Sequence, residues 1–315
     1  MISQLPQRVI HEMAQRHHRF HYYLWHRLRN SWPLLTKSER QAVRDINPAW
    51  TPSRPALDAA RRAARDNDSG EDFLYMHRCM IAFANDILAR VNDPAYPRVE
   101  GWRHMPPPGD ADYPVPEFPD SGLEEVKSAD HFKHFISPWE RKYTDPDYLK
   151  GVTLGQLGSD IEFTIYNDSH MRWTAPSPVG YRPSTALTQE IDAQWDAPIY
   201  DYMGDTYSSR VNPIFWKIHG WVDERIEDWK HAHGITGAIE WRGTWVGPTA
   251  YHEHFHSVRR GAVEAVAAED DVPDELRRID GIISVSAAAG FDGFIRPTPR
   301  RPRPEVQTSR RRTQL

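Results

Sequence analysis

Apolar side chains return every three to four residues along four long stretches, the period of a helix with one buried face. That pattern predicts helices over 5–29, 71–90, 160–173 and 213–233. Asn212 followed by Pro213 supplies a capping side chain and then a proline at the first helical position, where a missing N–H costs no bond. Asp68, Ser69 and Gly70 followed by Glu71 supply cap residues and an early acid ahead of the second helix. Shorter helices are predicted over 259–268 and 273–283, and alternating Ile, Trp and Val within 234–247 predict a short strand pair. Proline-rich stretches at 94–119 and 174–198 read as long irregular loops, with a shorter break at 50–54. The chain carries no G-x-G-x-x-G or P-loop sequence and no internal repeat. The expectation is a mainly α fold: a four-helix bundle core with long Pro-rich loops and a few short strands, filling one domain over 1–295.

Each of the four helices puts histidine on its apolar face. In the first, His17 and His21 fall within the stripe of Ile10, Met13, Phe20, Leu24 and Leu28, one turn apart, while His11, His18 and His26 fall outside it. His77 sits among Phe73, Met80, Ile81, Ala84 and Leu88. His170 shares a face with Phe163, Tyr166 and Trp173, and His219 with Phe215, Val222, Ile226 and Trp229. A single inward histidine is ordinarily a satisfied core residue. Five on four helices require many partners for buried ring nitrogens, and a metal held in a bundle core supplies them.

Composition narrows the chemistry. One cysteine, Cys79, against 16 histidines excludes a thiolate-rich metal site and a disulfide framework, so any metal must be held by imidazole with carboxylate or phenolate help. Copper, zinc, iron and nickel suit such ligands. No apolar run approaches the roughly 20 residues of a membrane span, and residues 1–15 lack the apolar stretch of a secretory signal, so a cytoplasmic protein without membrane partners is expected. Seven arginines and one acid, Glu305, lie within 296–312. With those charges set aside, the net charge of −5 becomes −11 for the rest. The residues 296–315 therefore read as a disordered Arg-rich tail, solubilising rather than nucleic-acid-binding, because no aromatic residues interleave the arginines and the body is acidic.

The segment NPIFWKIHGWVDERIEDW, 212–229, resembles the second copper-binding signature of tyrosinases, catechol oxidases and hemocyanins, D-P-x-F-x-x-H-H-x-x-x-D-R-x-W. Pro213, Phe215, His219 and Asp223 match in register, with Asn212 and Ile218 replacing the leading aspartate and the first paired histidine. DFLYMHRCMIAFAN, 72–85, resembles the family's F-L-P-W-H-R-x-Y-L-L-x-F-E through Phe73, Leu74, His77, Arg78 and Phe83. FHYYLW at 20–25 is similar to the helix that supplies the first copper A ligand, at His21, and YNDSHMRW at 166–173 to H-N-x-x-H of copper B, through Asn167 and His170.

The resemblance, which spans about 5–233, implies a type-3 copper protein: a tyrosinase-like copper oxidase or monooxygenase that holds two copper ions and uses O2 to hydroxylate or oxidise a phenol, catechol or o-aminophenol, with bacterial secondary metabolism as its expected setting. It implies an aromatic small-molecule substrate, a copper-delivery partner and scope for a homo-oligomer. His77 falls on a copper A position, and His170 and His219 on copper B positions. Asn167 falls on an asparagine that helps activate water, with Glu162 as its candidate carboxylate. Phe215 falls on a phenylalanine packed between ligand rings, and Asp223 on a residue that orients helix and ligand.

Two family positions depart from histidine. Asp68 replaces the third copper A ligand, and His17, four residues from His21, is the candidate to complete a set with His21 and His77. Tyr166 occupies the first copper B position, where a phenolate can ligate but favours Fe(III) or Cu(II). His252, His254 and His256, at strand spacing, and His131 and His134, at helical spacing, are reserve ligands. These departures leave two alternatives: an altered metalloenzyme with one copper or another metal performing, for example, N-oxygenation, and a metal-free, non-catalytic relative.

Overall fold

A computed structural model describes residues 5–58, 60, 62–181, 187, 190–248 and 272–287. It is mainly helical. The helices that organise it are α1 (Gln7–Ala14), α2 (Arg16–Ser31), α3 (Lys37–Ile46), α4 (Ser69–Val91), α5 (Leu154–Ile161), α6 (Asn167–Arg172), α7 (Pro213–Ala232) and α8 (Val272–Ser286). Short helical turns fill 124–150. Among the described residues no helix is long and apolar enough to cross a membrane.

The expected helices form with four informative differences. The first is two helices: Gln15 adopts an extended conformation, φ −58° and ψ 137°, which resets the face of α2 relative to α1. The third runs from α5 through a π-helical turn, Glu162–Tyr166, into α6, with Thr164 at φ −132° and ψ −106° marking the kink. Helix α3 was not expected from periodicity; Thr36 and Glu39 close a reciprocal capping box at its start. Asp68 does not cap α4 with its side chain; it takes a left-handed φ of 57°, and Asn67 Oδ1 accepts from Ser69 N at 3.0 Å instead. The cap at Asn212 is as expected, accepting from Ile214 N at 2.8 Å.

The expected short strands are not there. Among the described residues the only β pairing is an isolated bridge between Leu57 and Ala63, and the described part of 234–247 is irregular. Glu71 and Asp72 account for it: their carboxylates accept from the backbone N–H of Arg242 and Trp245, so this segment spends its hydrogen bonds on the start of α4 rather than on a ladder. The predicted helix over 259–268, the three histidines of 252–256 and the tail over 296–315 lie outside the described residues.

Helix α4 lies against α5 and α7. Gly70 and Gly158 meet backbone to backbone, where a Cβ on either would collide with the other helix. Arg78 Nε donates to Asp223 Oδ1 at 2.5 Å and Arg78 Nη1 to Glu227 Oε1 at 2.9 Å, which fixes α4 on α7. Helix α2 is buried on two sides. Tyr22 and Trp25 join the central core with Phe73, Tyr166 and Phe215. Phe20, Tyr23, Leu24 and Leu28 join a second core with Ile279, Ile282 and Ile283 of α8.

Candidate metal centre

Three of the five inward histidines meet in the central core. His77 leaves α4, His170 leaves α6 and His219 leaves α7, and all three are fully buried. The His77 and His219 rings stack at 4.5 Å between centroids. The Nε2 atoms of His170 and His219 are 3.3 Å apart. Tyr166, on the last residue of the π turn, points its hydroxyl at His219 Nε2, also at 3.3 Å, and packs edge-on against His77 and His170. Phe215 stacks on His219 at 3.6 Å and meets His170 edge-on at 5.8 Å.

The outer nitrogens are anchored. His77 Nδ1 faces Phe73 O at 2.7 Å and His170 Nδ1 faces Met203 O at 3.3 Å. A carbonyl only accepts, so each Nδ1 carries the proton and each Nε2 turns a lone pair inward, the arrangement usual for a metal-ligating imidazole. Burial, opposed in each case only by the bond to the carbonyl, pushes both imidazoles down to about 3; His219 is likewise well below the usual range, through burial first and then the neighbouring His77 and His170. All three are neutral at neutral pH, the state that binds metal.

The residues fit a metal by two observations. His77 Nε2 is buried with no hydrogen-bond partner, an arrangement that asks for a missing bonding partner, whereas the unpartnered His219 Nδ1 lies on the ring edge away from His170 and Tyr166. Ligand atoms about 2.0–2.1 Å from a tetrahedral metal lie about 3.3–3.4 Å from one another, and both the His170–His219 and the Tyr166–His219 separations have that value. Among the described residues no group of three or more His, Cys, Asp or Glu is placed to hold a metal. The convergence is two imidazoles and a phenol, with His77 stacked beside them.

His17 and His21 do not join His77. His21 Nε2 lies 2.5 Å from Glu275 Oε1 of α8, and His17 packs edge-on against His21 at 5.9 Å. The rings packed on His77 are Phe73, Tyr166 and His219. The physical reason is the two-sided burial of α2: its apolar stripe faces the second core, and its other face turns Tyr22, His26 and Arg29 to the centre. His26, placed on the polar side by periodicity, packs against Tyr22 at 4.6 Å, and the charge it would carry is opposed by burial first and His77 second. The sequence signal for it was the i, i+4 pair Tyr22–His26 beside Trp25, a second and mostly aromatic face of the helix.

The remaining candidates are spread out. Asn167 is buried beside Tyr166, but Glu162 is engaged by Arg29 in a buried ion pair, whose Nη2 also donates to Ser69 O at 2.5 Å. Glu162 is therefore a structural anchor rather than a water-activating partner for Asn167. Asp68 lies against Gly155 at the start of α4, two and a half turns before His77. His131 Nε2 binds Asp168 Oδ2 at 2.8 Å, and His134 is exposed. Cys79 is buried, which pushes its thiol up to about 12 and removes it as a ligand. A cleft of about 350 Å³ lies apart from the imidazoles, beside Asp68, Lys150, Trp229 and Arg242. No protein-family model matches the chain, and no curated protein matches it.

Proposed function

We propose that this protein is a copper-dependent oxidoreductase that uses O2 to hydroxylate or oxidise a phenol, catechol or o-aminophenol, on a four-helix core similar to that of type-3 copper proteins. The observation that carries the reading is the pair of buried Nε2 atoms of His170 and His219, 3.3 Å apart, with the far side of His170 bonded to a carbonyl. His170 and His219 would hold the ion, with His77 alongside. Bound copper would supply one-electron chemistry with O2. The chain's own contribution is to keep these imidazoles neutral, oriented and shielded from water by Phe73, Tyr166 and Phe215.

The centre reads as mononuclear, because of the two histidines needed for a second three-histidine set His21 is committed to Glu275 and His17 packs on His21. A dinuclear reading draws on His26, which packs on Tyr22 at 4.6 Å and whose charge is opposed by burial first and by His77 second. Copper content of protein made with copper present tests both. One ion per chain that is lost in His219→Ala supports the mononuclear centre; two ions, one of them lost in His26→Ala, support the dinuclear one. Protein that takes up no stoichiometric copper, with its fold intact, overturns the proposal.

A further inference from the structure

The hydroxyls of Tyr22 and Tyr166 lie 2.5 Å apart in the core, and the Tyr166 hydroxyl lies as far from His219 Nε2 as His170 Nε2 does. From this geometry we propose that Tyr166, as a phenolate, is the third ligand of the ion held by His170 and His219, and that Tyr22 is its positioning residue, donating its hydroxyl hydrogen to the phenolate oxygen. The inference rests on the metal reading above and names the ligand that reading leaves open.

Charge supports it. Two neutral imidazoles leave a divalent ion uncompensated in a dry interior, where an unpaired charge is costly. The nearby acid, Glu162, is occupied by Arg29. Tyr166 is the group at ligand distance able to supply an anion. Its oxygen would keep lone pairs beyond the metal bond, and these need a donor. Tyr22 is that donor, held by Phe215 at 5.2 Å and His26 at 4.6 Å between ring centroids. The π turn matters here. The turn ends at Tyr166, and the regular helix that follows sets Tyr166 and His170 side by side one turn apart, 4.7 Å between rings. In the binding step the O–H bond of Tyr166 breaks, an oxygen–metal bond forms, and the proton leaves to solvent; no electron is transferred. A hard phenolate oxygen favours the oxidised ion, Cu(II) or Fe(III).

The test is titration of the full chain with Cu(II) and, separately, with Fe(III), followed by visible absorption and resonance Raman spectroscopy. The expected result is a phenolate-to-metal charge-transfer band, one proton released per ion, and Raman modes that shift when tyrosine is ring-deuterated. Tyr166→Phe should lose the band while still binding the ion at least tenfold more weakly. Tyr22→Phe should keep the band but shift its energy, with affinity reduced about 10–100-fold. The isotope shift in the unaltered chain decides the matter even where Tyr166→Phe fails to fold. An ion bound through His170 and His219 with no tyrosinate band overturns the ligand assignment and leaves the metal reading intact. An unshifted band in Tyr22→Phe overturns the role of Tyr22. A chain that binds neither ion overturns the inference and the metal reading together.

Discussion

Two groups of histidines lie on opposite sides of α2, and they have opposite characters. On the side of α8, His21 Nε2 meets a carboxylate, Glu275, and His17 packs edge-on against His21. On the inner side, His77, His170 and His219 meet one another and the phenols of Tyr22 and Tyr166. An imidazole nitrogen facing a carboxylate has its partner and ties two helices together, as His21 Nε2 ties α2 to α8, although His21 Nδ1 has none. Imidazoles that face each other in a dry core cannot all be satisfied by one another's lone pairs, and a shared cation resolves that deficit. A count of histidines does not separate the two groups; the identity of the group opposite each ring does.

The sharpest way to break this contrast is metal affinity. His170→Ala or His219→Ala should weaken copper binding by more than about a hundredfold, since loss of an outer partner alone costs about 10–100-fold. His17→Ala and His21→Ala should leave it unchanged in the same equilibrium titration. Equal losses in both sets would erase the distinction between the two groups.

Stability should divide the same way. Glu162→Leu strands the fully buried Arg29 guanidinium and should cost about 3–5 kcal/mol in urea unfolding. Acid acts on both groups, since burial also pushes His17 down to about 4, but most strongly on the inner one. His77 and His170 resist protonation down to about 3 when folded. Above the ordinary histidine value near 6.5 both states are neutral, and nothing is lost. Below it the unfolded chain takes up protons that the folded chain refuses, so stability falls as pH drops from about 6.5 towards 3. The slope is about 1.4 kcal/mol per pH unit for each such imidazole. Urea midpoints of metal-free protein at several pH values should show it, and His77→Phe should remove one imidazole's share. The smallest effect belongs to the outer group: Glu275→Gln keeps a hydrogen-bond acceptor for the buried His21 and should change stability by less than about 1 kcal/mol. A larger loss would mean that this tie carries α8.

Much of the inner group was legible in the chain. Helices α4 and α7 each bury a broad face, and the period of their apolar residues places His77 and His219 inward. The Tyr166–His170 spacing survives the π turn because that turn ends at Tyr166, leaving a regular helix from there to His170. The join between Arg78 and Asp223 links two segments that the resemblance had set out separately. Periodicity failed on α2, where it located the more apolar side and took that side for the inside. The helix has two insides: its apolar stripe packs on α8, and its polar face, carrying Tyr22, His26 and Arg29, closes the central core with hydrogen bonds and ring contacts.

The sequence by itself therefore determined a mainly helical protein, the bounds of α4 and α7 to within a few residues, and three histidines on faces that must be buried. Hydrophobic period encodes which face of a helix leaves water, and for helices with one buried face that suffices. Only the tertiary structure decided which side of α2 looks inward, that His21 spends its ring on Glu275, and that Tyr22 and Tyr166 stand beside His219. Those outcomes depend on pairings between groups far apart in the chain, and a polar side chain's burial is set by the partner it meets rather than by its own hydropathy.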